Sequence, residues 1–370
     1  MTFDGFLPRE QFDSLLKELT QQGFQCLGPT VKDDAIGYAP ISSSNDFPLG
    51  IQDLQNPGHY QLKPNTKARW FDWANGPQAL KPLVFTPEET LWQVKRDEKS
   101  KLSFKSAQPS AQATAIIGVR ACDLAALALQ DQHFLNKNAT DEAYQTRRES
   151  LFLIAVNCTQ PAETCFCVAS GDGPNATDHF DLLLDECDEG FALTTGSDKG
   201  KQVVKHLSLQ PVSATQQKEI ASATQIAIKK QTRNLPQTNI QELLYRAYDS
   251  ERWQAIAERC LSCGNCTAVC PTCFCHSEHD EPSADGSHTR HFRQWDSCFT
   301  QGHSYIHGIV LRSNTSSRYR QWLTHKFAGW IEQYGRSGCV GCGRCISWCP
   351  VGIDVTEELH LLAKEEHHAS

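Results

Sequence analysis

Two cysteine runs of identical spacing constrain this chain more than any other feature of its sequence. Each run follows C-x2-C-x2-C-x3-C-P, and together they contain Cys260, Cys263, Cys266, Cys270, Pro271, Cys339, Cys342, Cys345, Cys349 and Pro350. Two residues between successive cysteines allow a short loop to wrap one metal cluster, and Gly264 and Gly343 let the backbone approach it closely. The spacing therefore predicts two loops that wrap iron–sulfur clusters.

The order of the cysteines also predicts how the eight thiols are shared. In bacterial ferredoxins, three thiolates of a run bind one [4Fe–4S] cluster and the fourth reaches the other cluster. We therefore assign cluster 1 to Cys260, Cys263, Cys266 and Cys349, and cluster 2 to Cys339, Cys342, Cys345 and Cys270. Zinc held by paired C-x2-C hooks is the alternative, and two complete four-cysteine runs argue against it. Two such clusters transfer single electrons and supply no catalytic group.

Two short apolar runs in the first half of the chain predict buried, neighbouring strands. They span 113–119 (ATAIIGV) and 151–156 (LFLIAV), and their length and β-branched content suit strands buried on both faces. The segment ACDLAALALQDQHF between them predicts a crossover helix. A cysteine follows each run, Cys122 after the first and Cys158 after the second. If the strands are parallel, both thiols emerge at one sheet edge, where α/β sheets usually place ligands.

Four thiols in this upstream region predict a third cluster. Cys122 and Cys158 are joined by Cys165 and Cys167, a C-x-C pair in the loop after the second apolar run. Four thiolates suffice for a third [4Fe–4S] cluster, and Asp123 is an alternative oxygen ligand. Two other interpretations stay open at this point: buried structural cysteines, because cysteine is among the most buried residue types, and a zinc site.

The pattern of apolar and polar residues predicts an α/β N-terminal domain followed by a mainly α C-terminal domain. Residues 1–210 form the first domain and open with an amphipathic helix in PREQFDSLLKEL. Residues 211–238 are polar and end at a proline, so they predict a helix plus linker. Residues 239–370 hold the ferredoxin-like core for two [4Fe–4S] clusters, with a helical insertion over 276–338.

Five cysteines fall outside the three predicted clusters. Cys273 and Cys275 follow the first run directly, and by proximity we expect them to lie beside the clusters and tune their reduction potentials. Cys298 has either such a role or a structural one. Cys26 and Cys187 are expected to be ordinary isolated cysteines.

Histidines add little to the predicted metal sites. His303 and His307 have the i, i+4 spacing of a helical metal pair, but no third ligand accompanies them, so a surface or packing role is favoured. His367 and His368 are expected to belong to a tail. The basic and aromatic stretch RYRQWLTHK (318–326) predicts a docking face or a face that packs on a cluster.

Composition and charge exclude several classes of protein. Seventeen cysteines follow an N-terminus with no secretion signal, so we expect a cytoplasmic protein whose thiols bind metal instead of forming disulfides. A net charge of −8 argues against a nucleic-acid-binding face. No run approaches the roughly 18–20 apolar residues that span a membrane. No G-x-G-x-x-G follows a strand, so no flavin or nicotinamide site is expected in this chain.

Several motifs together resemble one family. GVRACDLAAL, CTAVCPTCFC, WDSCF, RYRQWLTHK and GCVGCGRCISWCPVGIDVTEE are similar to the iron–sulfur β subunit of soluble, cytoplasmic [NiFe] hydrogenases of the sulfhydrogenase type, and the likeness covers most of the chain. The related A subunit of anaerobic sulfite reductase shares the general layout and several of the cysteines. Ala121 stands where many hydrogenase relatives have proline, and the sulfite reductase branch also has alanine there.

The resemblance implies an electron-transfer subunit of a heterotetramer, with no catalytic residue of its own. Its partners would be a large subunit with the nickel–iron centre, a small subunit with further clusters, and a flavin subunit that binds FAD and NAD(P)H. This chain would relay electrons between H2 and NAD(P)H beside the flavin subunit. The alternative is the equivalent subunit of a sulfite reductase. A redox sensor would need an effector-binding or DNA-binding segment, and the sequence offers neither.

Overall fold

The structure is a computed structural model that describes residues 3–136 and 139–369, with side chains described up to residue 365. His367 and His368 therefore lie outside the described side chains. The strands are β1 (Gly5–Pro8), β2 (Gln25–Lys32), β3 (Ala35–Pro40), β4 (Ile51–Asn56), β5 (His59–Pro64), β6 (Glu88–Arg96), β7 (Leu102–Ser106), β8 (Thr114–Val119), β9 (Leu151–Val156), β10 (Leu182–Glu186), β11 (Gly190–Thr195), β12 (His276–Pro282), β13 (His288–Trp295), β14 (Tyr305–Ile306) and β15 (Ile309–Val310).

Helices surround these strands and dominate the last third of the chain. They are α1 (Phe12–Gln21), α2 (Lys81–Val84), α3 (Ala121–Phe134), α4 (Glu142–Glu149), α5 (Cys167–Ser170), α6 (Asp198–Val204), α7 (Ala214–Lys230), α8 (Ile240–Arg246), α9 (Arg252–Ala257), α10 (Asn265–Ala268), α11 (Thr315–Thr324), α12 (Trp330–Tyr334), α13 (Arg344–Ser347) and α14 (Val355–Ala369). A π-helical turn at His325–Gly329 joins α11 to α12. No helix in the described part of the chain is long and apolar enough to cross a membrane.

A seven-stranded sheet in the order β1-β11-β10-β9-β8-β2-β3 forms the centre of the N-terminal half. Its four inner strands, β10, β9, β8 and β2, are parallel, and antiparallel strands close both edges. Every residue of β8 and β9 is buried, because apolar clusters cover both faces of the sheet. The mixed α/β class predicted for this half is confirmed.

The two predicted strands and their crossover helix are present. β8 and β9 pair in parallel, with Thr114 opposite Leu151, and α3 connects β8 to β9 through α4. Cys122 lies in the first turn of α3, directly after β8, and Cys158 follows the end of β9. Because parallel strands end at the same edge, both thiols lie on one side of the sheet, as the sequence predicts.

A second sheet of four strands, ordered β12-β13-β6-β7, corrects the predicted insertion. Residues 276–338 are predicted to be helical, yet they begin with the β12–β13 hairpin and become helical from Thr315 onward. β13 pairs with β6 from the N-terminal half, with Trp92 opposite His291. The helical prediction was wrong here because the hairpin is rich in polar residues and its pairing partner is distant in sequence.

Candidate metal centres

The first thiol group consists of Cys260, Cys263, Cys266 and Cys349. All four line one cavity, together with aromatic side chains of α11. Burial raises the pKa of the Cys266 thiol well above its usual range, and the nearby Cys260, Cys349 and Cys263 raise it further. Since a metal ligand must be a thiolate, metal binding here would release protons. The structure thus places the last cysteine of the second run beside the first three of the first run.

The second thiol group consists of Cys339, Cys342, Cys345 and Cys270. It thus combines the first three cysteines of the second run with the last cysteine of the first run. Burial raises the pKa of Cys345 well above its usual range, and the nearby Cys339, Cys342 and Cys270 raise it further. Burial also raises the pKa of Cys339 to about 12. Cys345 has Cys266 of the first group as a further neighbour, so the two groups are adjacent.

Backbone geometry in both groups suits a bound cluster. Gly264 and Gly343 each have φ of +74°, a left-handed conformation that side chains rarely adopt. Backbone N–H groups point at the sulfurs: Ser262 donates to Cys260 Sγ at 3.4 Å and Gly341 donates to Cys339 Sγ at 3.4 Å. Such N–H···S contacts stabilise thiolate charge and are among the features that set cluster potentials.

The third thiol group consists of Cys122, Cys158, Cys165 and Cys167, the four upstream cysteines. Burial raises the pKa of Cys165 well above its usual range, and Cys167, Cys158 and Cys342 are the thiols near it. For Cys122, burial is again the main cause of a raised pKa, followed by Asp123, Cys167 and Cys342. The structure therefore brings all four upstream thiols into one neighbourhood, and Cys342 of the second group borders it.

The upstream TCFC segment packs directly on the second cysteine run. Phe166 N donates to Gly341 O at 2.8 Å. A Cβ added at Gly343 would lie 2.5 Å from Thr164 O, so only glycine fits at this approach. Asn75 bridges the two segments, because its Nδ2 donates to Cys342 O at 2.8 Å and lies 3.9 Å from Cys165 Sγ. The third and second thiol groups are thus built against one another.

Asp123, the predicted alternative ligand, forms a buried ion pair with Arg344. Arg344 donates to both of its carboxylate oxygens, at 2.6 and 3.1 Å, and both side chains are 1% exposed. Arg344 Nε also donates to Gly76 O at 2.9 Å. The carboxylate therefore neutralises a buried arginine of the second cysteine run.

The remaining cysteines divide into two kinds. Cys26 and Cys187 are buried in separate apolar clusters of the N-terminal half. Cys273 lies near Cys270, since Lys326 Nζ is 3.4 Å from Cys273 Sγ and 3.6 Å from Cys270 Sγ, and Cys275 lies near Cys298. Cys273 is thus adjacent to the second thiol group.

His303 and His307 do not form the helical metal pair that their spacing alone would allow. His303 lies in a single 3-10 turn, Gly302–Ser304, and His307 has φ of +48° between β14 and β15. An i, i+4 pair faces one side only on a helix, so the two rings do not form such a pair. His303 instead interacts with Asp296, since its Nδ1 lies 3.2 Å from Asp296 Oδ2.

Lys326 is a buried cation beside the second thiol group that sequence reasoning did not single out. It lies in the π-helical turn and is 4% exposed. Its Nζ donates to Thr272 Oγ1 at 2.7 Å and lies 3.6 Å from Cys270 Sγ. Lys326 is the last residue of the basic and aromatic stretch 318–326, which was the feature of the sequence that could have indicated it. Tyr319 and Trp322 of the same stretch line the cavity of the first thiol group.

Thiols that bind one metal ion and thiols that bind a cluster differ in their spacing. Within the side chains that the structure describes, no three Cys, His, Asp or Glu residues are grouped as ligands of one metal ion. A zinc ion needs all its sulfurs about 2.3 Å from one point, whereas the ligands of a [4Fe–4S] cluster bind four separate irons and stand further apart.

Comparison with known proteins agrees with this chemistry. A family model described as a 4Fe-4S dicluster domain matches residues 259–353. Sulfhydrogenase 2 subunit beta of Pyrococcus furiosus is 30% identical over 280 residues, which cover 74% of this chain and 79% of that protein. No solved structure matches the chain.

Proposed function

Because the chain belongs to the family of sulfhydrogenase β subunits, we propose that it relays electrons within an NAD(P)-linked [NiFe] hydrogenase complex. The observation that carries the proposal is the position of the fourth cysteine of each run. Cys349, from the second run, lies with the first three cysteines of the first run, and Cys270, from the first run, lies with those of the second. This arrangement fits two [4Fe–4S] clusters held by the eight cysteines of the first and second thiol groups. Such clusters supply one-electron transfer when they are bound.

The three thiol groups are arranged in a row, which supports a relay. Cys342 borders the third group, and Cys345 of the same second group borders Cys266 of the first. The second group is therefore the middle position. The first group reaches the surface, because Cys263 is exposed and the neighbouring Leu261 is 62% exposed. We propose this face as one end of the relay, where a partner subunit exchanges electrons.

The proposed partners are a flavin subunit that binds NAD(P)H, and the small and large subunits of a [NiFe] hydrogenase. We place the complex in the cytoplasm and assign no flavin or nicotinamide site to this chain. In this scheme the β subunit contributes no catalytic residue, and its cysteines hold clusters in a fixed order between its partners.

Purification of the tagged chain from its source under anaerobic conditions tests the assignment. We expect nickel and flavin to co-purify with it in fixed ratio, and the complex to reduce NAD(P) with H2. A complex that lacks nickel and contains a sulfite-reducing haem subunit would contradict the proposal and favour the sulfite reductase alternative.

The third thiol group gives a prediction for the chain alone. Replacing Cys165 by serine should lower bound iron by about four atoms per chain, the content of one cluster, because this thiol is buried among the other three. Replacing Cys187 by serine should leave iron unchanged, since Cys187 is equally buried but remote in an apolar cluster. Iron and acid-labile sulfide are measured after anaerobic reconstitution. Equal iron in both variants would leave the upstream cysteines structural.

A further inference from the structure

We propose, on the basis of the two [4Fe–4S] clusters proposed above, that Lys326 is a positioning residue of the second thiol group. Its ammonium raises the reduction potential of the cluster that this group binds. Lys326 lies in the π-helical turn His325–Gly329, between α11 and α12, and is 4% exposed. Such turns are rare in proteins and are frequent at functional sites.

The ammonium of Lys326 is directed at sulfur. Its Nζ lies 3.6 Å from Cys270 Sγ and 3.4 Å from Cys273 Sγ. It also donates to Thr272 Oγ1 at 2.7 Å. The three N–H groups of a lysine thus have three acceptors here, and one of them is the sulfur of a proposed cluster ligand. Hydrogen bonds to ligand sulfur are among the features that set the potential of an iron–sulfur cluster.

Lys326 differs from the other buried cation of the second thiol group. Arg344 is paired with Asp123, so its charge is already neutralised. Lys326 has the Trp330 ring centroid 4.8 Å from its Nζ, and no carboxylate among the described side chains is paired with it. A buried ammonium needs a compensating negative charge, and thiolates that bind a cluster supply it. Reduction adds one more negative charge beside the ammonium, so Lys326 stabilises the reduced cluster more than the oxidised one.

Backbone contacts hold Lys326 between the two segments that build the second thiol group. Lys326 O accepts from Gly338 N at 2.8 Å, directly before Cys339. On the other side, Thr272 Oγ1 accepts from Lys326 Nζ and donates to Gly338 O at 2.7 Å. Lys326 thereby links the end of the first cysteine run to the start of the second. These contacts keep its ammonium beside Cys270.

The first thiol group has different surroundings. Besides its own cysteines, its cavity is lined mainly by apolar and aromatic side chains such as Phe299, Tyr319 and Trp322, and no lysine or arginine is among the described lining residues. Because the interaction between charges falls with distance, Lys326 should act on the second thiol group more than on the first. The first cluster is therefore an internal reference for any effect on the second.

A second buried lysine provides a matched control. Lys81 is also 4% exposed, but its Nζ donates to Thr267 O at 3.2 Å and to Ala268 O at 3.0 Å. Its N–H groups are thus directed at backbone carbonyls, whereas those of Lys326 are directed at sulfur. Comparing Lys81→Met with Lys326→Met separates the effect of the contact with sulfur from that of a buried charge in general.

The test is a redox titration, followed by EPR, of the full chain reconstituted anaerobically. The signal of the second cluster is the one that Cys342→Ser abolishes. In Lys326→Met, the ratio of reduced to oxidised second cluster at a fixed potential should fall about tenfold, a shift of about 59 mV for a one-electron couple. The signal that Cys263→Ser abolishes should shift less, and so should the second cluster in Lys81→Met. Lys326→Arg keeps the charge and should keep the potential.

An unchanged potential of the second cluster in Lys326→Met, at unchanged iron content, would overturn the proposal, and so would an equal shift in Lys81→Met. Lys326→Gln is the second neutral variant if Lys326→Met does not fold, and it should show the same shift. Loss of the second cluster from both neutral variants would also overturn the proposal, because Lys326 would then hold the cluster instead of setting its potential. If Cys263→Ser and Cys342→Ser left iron unchanged, the failure would lie in the dicluster assignment itself.

Discussion

Replacing Cys349 by serine should remove the same EPR signal as replacing Cys263, together with about four irons per chain. The reason is geometric: Cys349 ends the second run but lies with Cys260 and Cys266 of the first. By the same argument, Cys270→Ser should remove the signal that Cys342→Ser removes. Each pair of variants should therefore give matching spectra although its members come from different runs.

The opposite pairing would contradict this assignment. If Cys270→Ser removed the signal lost in Cys263→Ser, each run would bind its own cluster. Cys26→Ser is a suitable control, because Cys26 is buried in the N-terminal core and should leave both signals intact. Electron transfer through the complex should stop in Cys342→Ser, since the second thiol group occupies the middle of the row.

Replacing Asp123 by asparagine should lower the free energy of unfolding by about 3–5 kcal/mol, because it leaves the Arg344 charge buried without its partner. The two side chains are 1% exposed, so water cannot compensate the arginine. The shift is measured from the urea midpoint at equal iron content, relative to the unchanged chain. A loss below about 1 kcal/mol would mean that the ion pair is solvated in solution.

A double variant and an iron measurement complete this experiment. Asp123→Leu combined with Arg344→Met removes both charges and should be more stable than Asp123→Asn, because no unpaired charge remains. Asp123→Asn should also keep its iron under conditions in which it is folded. Iron loss that matches Cys122→Ser would show instead that the carboxylate binds metal.

The local patterns of the sequence predicted much of this protein. The spacing of the cysteine runs indicated the dicluster domain, and the apolar runs gave β8 and β9 with nearly correct bounds. The edge shared by Cys122 and Cys158 followed from the direction of those two strands. These features could be predicted because each depends on residues that are close together in the sequence. The spacing of such residues sets the length of a ligand loop and the periodicity of a strand.

Contacts between distant segments were not predictable in the same way. The pairing of β6 with β13 joins residues of the two halves, and no local pattern in the polar strands indicates it. The Asp123–Arg344 ion pair likewise became visible only in the structure. In the sequence, the Asp123 carboxylate next to Cys122 suggests a metal ligand. Only the structure shows that Arg344, from a distant segment, neutralises this carboxylate.

The sequence by itself determined that this chain carries two ferredoxin-type cysteine runs on an α/β protein, because ligand spacing and strand patterns are local properties. The tertiary structure decided which thiols share a neighbourhood, because that depends on how separate segments fold together. It placed Cys342 of the second thiol group at the border of the third, and the base of one hairpin brought Cys275 near Cys298. The buried lysines Lys81 and Lys326 likewise come close to the Cys273 thiol only because segments distant in the sequence pack together.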